Sequence, residues 1–165
     1  MKYSPHDYQR YAAEFIITQP VAALLLDMGL GKTSIALTAI NDLLFDSFDS
    51  FEIHKVLVVA PLRVARDTWG TEIEKWEHLK NLRYSVVVGT EQERLKALRT
   101  PADIYIINRE NIQWLVEESG LIFDFDMAVI DELSSFKNYQ SKRFRAFMKV
   151  RPKLKRIVGL TGTPA

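Results

Sequence analysis

The chain contains no cysteine among its 165 residues. This absence excludes a disulfide, a thiolate metal site and a cysteine nucleophile. Histidine is scarce as well, and His6, His54 and His78 lie far apart in the sequence. We therefore interpret the three histidines as surface or core residues and not as members of a metal centre.

Long apolar segments are also missing. No uninterrupted apolar run approaches the roughly 20 residues that span a bilayer, and the N-terminus lacks the apolar core of a signal peptide. These absences predict a cytoplasmic protein with no membrane partner. The composition is 47% hydrophobic and 26% charged, which suits one ordinary core, so we expect a single domain over residues 1–165.

Acidic residues are absent from the last part of the chain. Between Tyr139 and Ala165 there are eight of the 22 Lys and Arg residues and none of the 21 acidic ones. Such a stretch is typical of a surface that contacts a phosphate backbone. The interleaved Phe144, Phe147 and Met148 equally indicate a helix with a core-facing side, so both interpretations stay open.

Short β-rich runs alternate with helical patterns along the whole chain. Because strands this apolar need cover on both faces, the pattern predicts an α/β fold, a mostly parallel sheet flanked by helices on both faces, with ligands at the carboxyl ends of the strands. The predicted strands are Val21–Leu26, Val56–Ala60, Tyr84–Val88, Ile104–Ile107, Met127–Ile130 and Ile157–Leu160. The predicted helices are Tyr8–Ile17, Ser34–Leu44, Val64–Trp76, Glu91–Leu98, Glu110–Glu118 and Ser141–Val150, with Thr90 and Glu93 as a capping box.

A glycine-rich loop follows the first predicted strand. Gly29 and Gly31 allow the backbone to curl with its N–H groups directed at phosphate oxygens, and Lys32 supplies a positive charge for the β- and γ-phosphates. The hydroxyl of Thr33 is a Mg²⁺ ligand in such loops. Leu26 stands where the full signature has its first glycine. The loop predicts ATP binding with Mg²⁺; the alternative is a glycine turn that caps a core helix.

Two carboxylates follow the fifth predicted strand. At such a strand end, Asp131 would hold the Mg²⁺ on the phosphates and Glu132 would orient or deprotonate the attacking water. The structural alternative is a helix N-terminus, where Asp and Glu are also favoured. The phosphate loop upstream favours the catalytic interpretation, with Asp131, Glu132 and Lys32 as catalytic residues.

Five motifs in order resemble helicase superfamily two, specifically the first RecA-like lobe of the Swi/Snf-type DNA translocases, nearly from end to end. The resemblance implies a RecA-like P-loop NTPase domain. The segments that carry it are Pro5–Gln9, Asp27–Thr33, Val56–Leu62 with Trp69 and Glu74–Trp76, Asp131–Glu132 with Lys137–Asn138, and Leu160–Pro164, together with Asp103–Glu110 as the strand and loop facing DNA.

The resemblance implies roles for further residues. Gln9 would read adenine, and the nucleotide would be bound by Met28, Gly29, Leu30, Gly31, Lys32, Thr33 and Ser34. Double-stranded DNA would be contacted by Pro61, Arg63, Asn108 and Arg109, while Thr161, Gly162 and Thr163 would couple nucleotide state to DNA.

The sequence departs from the family pattern at Ser134, where a histidine is usual. The motif with serine at this position is most similar to that of compact phage-encoded members of the family. This resemblance implies that the protein acts in the cytoplasm of a bacterium or of a phage-infected host cell. The serine leaves open how motif II communicates with motif III. The residues end after motif III, so the second RecA-like lobe with its arginine fingers would be supplied in cis or in trans.

The sequence therefore predicts the ATP-binding lobe of a helicase-like, ATP-dependent translocase on double-stranded DNA, nearly inactive by itself. Two alternatives remain. One is another P-loop NTPase such as a small-molecule kinase, although no arginine-rich lid follows the loop. The other is a DNA- or protein-binding module that retains its nucleotide loop without catalysis.

Overall fold

The computed structural model describes residues 1–25, 31–46, 53–136 and 141–162. Within these ranges, six strands form one sheet in the order β1-β6-β5-β2-β4-β3, and all five neighbouring pairs are parallel. The strands are β1 (Val21–Leu25), β2 (Val56–Ala60), β3 (Tyr84–Val87), β4 (Ile104–Asn108), β5 (Met127–Asp131) and β6 (Arg156–Thr161). The six predicted strands and the parallel α/β architecture are confirmed.

Helices connect the strands. The α-helices are α1 (Asp7–Thr18), α2 (Lys32–Asn41), α3 (Trp69–Lys75), α4 (Glu91–Arg99), α5 (Leu133–Phe136) and α6 (Lys142–Val150). Helix α4 begins with the predicted capping box, because Thr90 Oγ1 accepts from the Glu93 N–H and Glu93 Oε1 accepts from the Thr90 N–H.

Three of the predicted helices differ from a regular α-helix. Residues Asp42–Asp46, Val64–Thr68 and Trp114–Glu118 are π-helical, and Arg109–Asn111 is a 3₁₀ turn. A π-helical turn inserts one extra residue into an otherwise α-helical segment, and a sequence pattern with a period of 3.6 residues does not locate a single such turn.

The alternation of side chains along each strand produces two hydrophobic clusters, one on each face of the sheet. On strand β2, Val58 belongs to the cluster that α1, α2 and α3 cover, whereas Leu57 and Val59 belong to the cluster that α6 covers. No helix in the described ranges is long and apolar enough to cross a membrane.

His78 connects the chain after α3 to helix α2. Its Nε2 lies 2.9 Å from Thr38 Oγ1, and its ring stacks on Tyr3 with centroids 4.4 Å apart. Burial lowers the pKa of His78 below its ordinary value of 6.5.

The lowered pKa of His78 predicts a pH-dependent stability. The unfolded chain binds the proton more readily than the folded chain, so this contribution is complete above pH 6.5 and is lost as the pH falls through the lowered pKa. As the pH is lowered from 6.5 through the depressed pKa of His78, the thermal unfolding midpoint should decrease. We expect this decrease to be smaller in His78→Gln than in the unchanged chain. All other titrating groups are common to both proteins, so parallel profiles would contradict the assignment.

Candidate nucleotide-binding site

The candidate site lies at the carboxyl edge of three neighbouring strands. Strand β6 lies between β1 and β5, with Thr161 opposite Leu25 and Leu160 opposite Asp131 in the register. Because all three strands are parallel, the residues that follow them meet at the same edge. This topology brings together the described end of the predicted phosphate loop, residues 31–33, with the carboxylate pair and the beginning of motif III.

Gly31 forms the turn into helix α2. Its φ of +76° lies in the left-handed region, and a Cβ at this position would lie 2.7 Å from Gln9 Nε2 and 3.0 Å from Ser34 Oγ. The Ser34 hydroxyl donates to the Gly31 carbonyl at 2.9 Å. Gln9, the last residue of the first motif, therefore lies beside Gly31, and its adenine-reading role stays a prediction.

Lys32 is the first residue of α2 and faces both carboxylates. Its Nζ donates to Glu132 Oε1 and lies 3.2 Å from Asp131 Oδ1. Burial by itself would lower the pKa of Lys32, but the hydrogen bond that Lys32 donates to Glu132 and the charge of Asp131 outweigh burial and raise that pKa. Lys32 is consequently a fixed cation at neutral pH.

Asp131 is the most enclosed charged group of the site. The residue is 2% exposed, and its Oδ2 accepts a hydrogen bond from the Trp69 indole N–H at 3.1 Å. Its Oδ1 is buried and has no hydrogen-bond partner in the described part of the chain beyond the ion-pair contact with Lys32. A buried carboxylate oxygen with spare coordination capacity fits Mg²⁺, which prefers one or two carboxylates and phosphate oxygens.

Glu132 adopts a left-handed backbone conformation, with φ at +61°, which residues other than glycine rarely adopt. Such strain costs on the order of 1–3 kcal/mol and persists where the surrounding structure imposes it. The turn at Glu132 ends strand β5 and directs its carboxylate toward Lys32. The sequence contains no signal for this conformation.

Thr33 and Ser34 occupy the first turn of α2, where Ser34 is buried and Thr33 is half-buried. The roles of Thr33 in binding Mg²⁺ and nucleotide and of Ser34 in binding nucleotide stay predictions. Met28, Gly29, Leu30 and Thr163 lie outside the described residues.

Motifs II and III are in direct contact. Ser134 Oγ lies 3.0 Å from Thr161 Oγ1, so the serine at the unusual position hydrogen-bonds the end of strand β6. A hydroxyl pair thus bridges the two motifs where the family pattern has a histidine. Gly162 follows Thr161 at the same edge.

The predicted DNA contacts lie at the other half of this edge, after β2 and β4. Pro61 is half-buried and Arg63 is exposed, which leaves the Arg63 guanidinium accessible. Asn108 is 5% exposed, and its amide donates to Glu110 and accepts from Asn111, so its side chain shapes the loop.

Arg109 connects the loop after β4 to motif II. Its Nη1 donates to Ser135 Oγ, three residues after Glu132, and its Nε donates weakly to Glu110 at 3.4 Å. A residue predicted to contact DNA is thus in contact with the helix that begins beside the carboxylate pair.

The basic C-terminal segment divides into two parts. On α6, Lys149 pairs with Glu117, and Arg143 Nη1 lies 3.7 Å from Glu110. Arg156 begins strand β6 at the opposite, amino edge of the sheet and donates to the carbonyl of Ile17 at 2.8 Å. Arg156 therefore joins β6 to the end of α1 and is remote from the predicted DNA contacts.

Two residues that the sequence interpretation did not assign to the site contribute to it. Trp69 holds Asp131, although the two are 62 positions apart. Gly159 allows α5 to approach the sheet, because a Cβ there would lie 2.4 Å from Leu133 Cδ2. A glycine inside a buried strand was the available signal for such a close approach.

The six-stranded parallel sheet, with a lysine and two carboxylates at its carboxyl edge, defines a RecA-like α/β domain. The structure of the Sulfolobus solfataricus SWI2/SNF2 ATPase core in complex with dsDNA superimposes with a TM-score of 0.78 and 26% identity, over 99% of this chain and 33% of that one. The family model described as SNF2-related domain matches residues 8–165, and the chain belongs to this family.

Sequence relatives agree with this assignment. Protein p41 of Acyrthosiphon pisum secondary endosymbiont phage 1 is 34% identical over 99% of this chain. The Bos taurus SWI/SNF-related matrix-associated actin-dependent regulator of chromatin subfamily A-like protein 1 is 34% identical over 96% of it. The chain spans 36% of the phage protein and 15% of the bovine protein.

Proposed function

We propose that the chain is the ATP-binding lobe of an SNF2-family ATPase that moves along double-stranded DNA. The observation that carries this proposal is the meeting of Lys32, Asp131 and Glu132 at one sheet edge, with Gln9 beside Gly31. Residues 1–165 would form one RecA-like lobe, and a second lobe would complete the enzyme in cis or in trans.

In the proposed reaction Lys32 binds the β- and γ-phosphates. The ammonium is now held by two carboxylates, so entry of a phosphate requires Lys32 to exchange at least its Glu132 contact for phosphate oxygens. Thr33 and Asp131 would hold Mg²⁺, which supplies neutralising charge on the phosphates when it is bound. Glu132, released from Lys32, becomes free to orient the attacking water and to accept its proton.

The contact between Ser134 and Thr161 supports a path from the nucleotide to the DNA-binding edge. Ser134 lies two residues after Glu132, and Thr161 ends the strand next to β5. A shift of Glu132 on nucleotide binding would therefore reach Thr161 through one short helical turn. Arg109, bonded to Ser135, would sense the same shift on the DNA side.

We expect DNA binding by the isolated chain to be weak and strongly dependent on salt. The cations proposed for this contact are Arg63, Arg109 and the basic side chains of the stretch from Tyr139 to Arg156, and Arg63 is exposed in the structure. Contacts of this kind to phosphates release counterions, so the affinity falls with rising salt concentration.

The adenine-reading role of Gln9 makes a testable prediction. Gln9 Oε1 accepts the His6 N–H at 2.9 Å, and Gln9 Nε2 lies on the side that faces Gly31. We expect the unchanged chain to prefer ATP over GTP, because an amide both donates to and accepts from the adenine edge. Gln9→Ala and Gln9→Glu should remove this preference in competition against a fluorescent ATP analogue.

Gln9→Glu keeps the acceptor for His6, replaces the N–H₂ donor by an acceptor and adds a negative charge, so the ATP-to-GTP affinity ratio, and not the affinity itself, reports on base reading. Equal unfolding midpoints for this variant and the unchanged chain would verify that the start of α1 is intact. GTP displacing the analogue as well as ATP does in the unchanged chain would contradict the assignment of Gln9.

One set of samples separates the proposed function from its alternatives. Mg-ATP and duplex DNA are titrated separately by calorimetry, and phosphate release is measured in the same preparations. Binding of both ligands with little turnover supports a lobe of a DNA-dependent ATPase. If the chain binds DNA but does not bind Mg-ATP, it is a binding module. If it binds Mg-ATP but does not bind DNA, it is another kind of NTPase.

A further inference from the structure

The buried Trp69 makes a contact that ordinary core packing does not require. Its side chain is 0% exposed and belongs to the hydrophobic cluster under α2 and α3. Phenylalanine would supply comparable apolar contact there without introducing an N–H group that needs an acceptor. The acceptor is Asp131 Oδ2, at 3.1 Å.

The indole N–H divides the two oxygens of Asp131 into different roles. Oδ2 is occupied by Trp69, whereas Oδ1 is buried without a hydrogen bond in the described residues and faces the Lys32 ammonium. A neutral donor on one oxygen holds the carboxylate in one orientation and leaves its charge intact. The other oxygen is thereby presented toward Lys32, at the beginning of α2.

The position of Trp69 in the chain supports this fixed orientation. The residue begins α3 directly after the π-helical turn Val64–Thr68, and its backbone N–H donates to the carbonyl of Val64, five residues earlier. Wide turns of this kind re-aim the side chains that follow them and are frequent at functional sites. The turn itself follows Pro61 and Arg63, at the end of β2.

We propose that Trp69 is a positioning residue that orients Asp131 for Mg²⁺, an inference that rests on the proposed nucleotide-binding function. Partners that orient a metal ligand typically change metal affinity about 10- to 100-fold when they are removed. Trp69→Phe should therefore raise the Mg²⁺ concentration needed for tight ADP binding by about that factor. ADP binding in the presence of a chelator should change less than about twofold, because Lys32 and Gly31 are untouched.

The chain supplies a matched control. Trp114 is also buried, and its indole donates to a carboxylate, Glu91, at 3.0 Å; Glu91 begins α4 after β3, the strand at the opposite end of the sheet from β1. Trp114→Phe removes an equivalent hydrogen bond and should leave the Mg²⁺ requirement unchanged. In an Asp131→Asn background, Trp69→Phe should have no further effect on Mg²⁺, since the two residues act as one unit.

A spectroscopic measurement keeps the test decisive if Trp69→Phe does not fold. The double variant Trp76→Phe/Trp114→Phe retains Trp69 as its sole tryptophan. Adding Mg²⁺ to its ADP complex should change the Trp69 emission, because a cation on Asp131 alters the charge beside the indole. The change should disappear when Asp131→Asn is added.

Two results would overturn the role of Trp69 and leave the proposed nucleotide site intact. One is an equal Mg²⁺ requirement in Trp69→Phe and the unchanged chain; the other is a Trp69 emission that does not change when Mg²⁺ is added to the ADP complex. Failure of the unchanged chain to bind ADP with Mg²⁺ would overturn both the site and this inference.

Discussion

Lys32→Ala should abolish measurable binding of Mg-ATP. The ammonium makes charge-assisted contacts worth about 3 kcal/mol or more to the phosphates, and each 1.4 kcal/mol is tenfold in affinity. The substitution also leaves Asp131 and Glu132 without their shared cation, so two negative charges would repel the incoming phosphates. We expect a loss of at least about 100-fold by calorimetry, from an affinity that is already weak.

Lys55→Ala is the matched control for Lys32→Ala. The two lysine side chains are similarly enclosed, with exposed fractions of 26% for Lys55 and 20% for Lys32, and Lys55 also pairs with a carboxylate, Asp124, at 2.7 Å. Lys55 lies just before β2, at the amino edge of the sheet. Its removal should leave nucleotide affinity unchanged; equal affinity in Lys32→Ala and the unchanged chain would remove the phosphate-loop assignment.

A second large effect is expected when a second RecA-like lobe is supplied. The isolated chain should show negligible DNA-stimulated ATP hydrolysis. Asp131 and Glu132 can place metal and water, but an arginine that neutralises the transition state from the opposite side would have to come from a second lobe, since none in the described residues contacts the carboxylate pair. An arginine finger contributes roughly three to five decades in rate. Joining the chain to the part of the Sulfolobus solfataricus ATPase core that it does not cover should therefore raise turnover by orders of magnitude.

Glu132→Gln is the control for the joined protein. The variant keeps the size of the side chain and can still hydrogen-bond Lys32, but it cannot accept a proton from water. Turnover should return to the level of the isolated lobe while nucleotide binding persists. Turnover near one per second from the unchanged isolated chain, lost in Glu132→Gln, would instead show that these residues form a complete enzyme.

The strands could be predicted from sequence because their signal is local. Each is a short apolar run bounded by polar residues, glycine or proline, and the observed bounds differ from the predicted ones by at most one residue. The meeting of Lys32 with Asp131, 99 positions later, followed from one general rule about the carboxyl ends of parallel strands.

The details that orient the site could not be predicted because they depend on tertiary contacts. The hydrogen bond from Trp69 to Asp131 requires the π-helical turn before α3, which no periodicity reveals. The left-handed backbone of Glu132 occurs at a residue type that gives no warning of it. The contact of Ser134 with Thr161 depends on the pairing of β5 with β6, which is a property of the whole sheet.

The proposed nucleotide site is tested most directly by a crystal structure of the chain with Mg²⁺ and a non-hydrolysable ATP analogue. We expect the phosphates on Gly31 and Lys32, the metal beside Asp131 Oδ1, the adenine beside Gln9, and Lys32 released from Glu132. A nucleotide bound elsewhere on the lobe, or phosphates at this edge with Lys32 still bonded to Glu132 and no metal at Asp131, would contradict it.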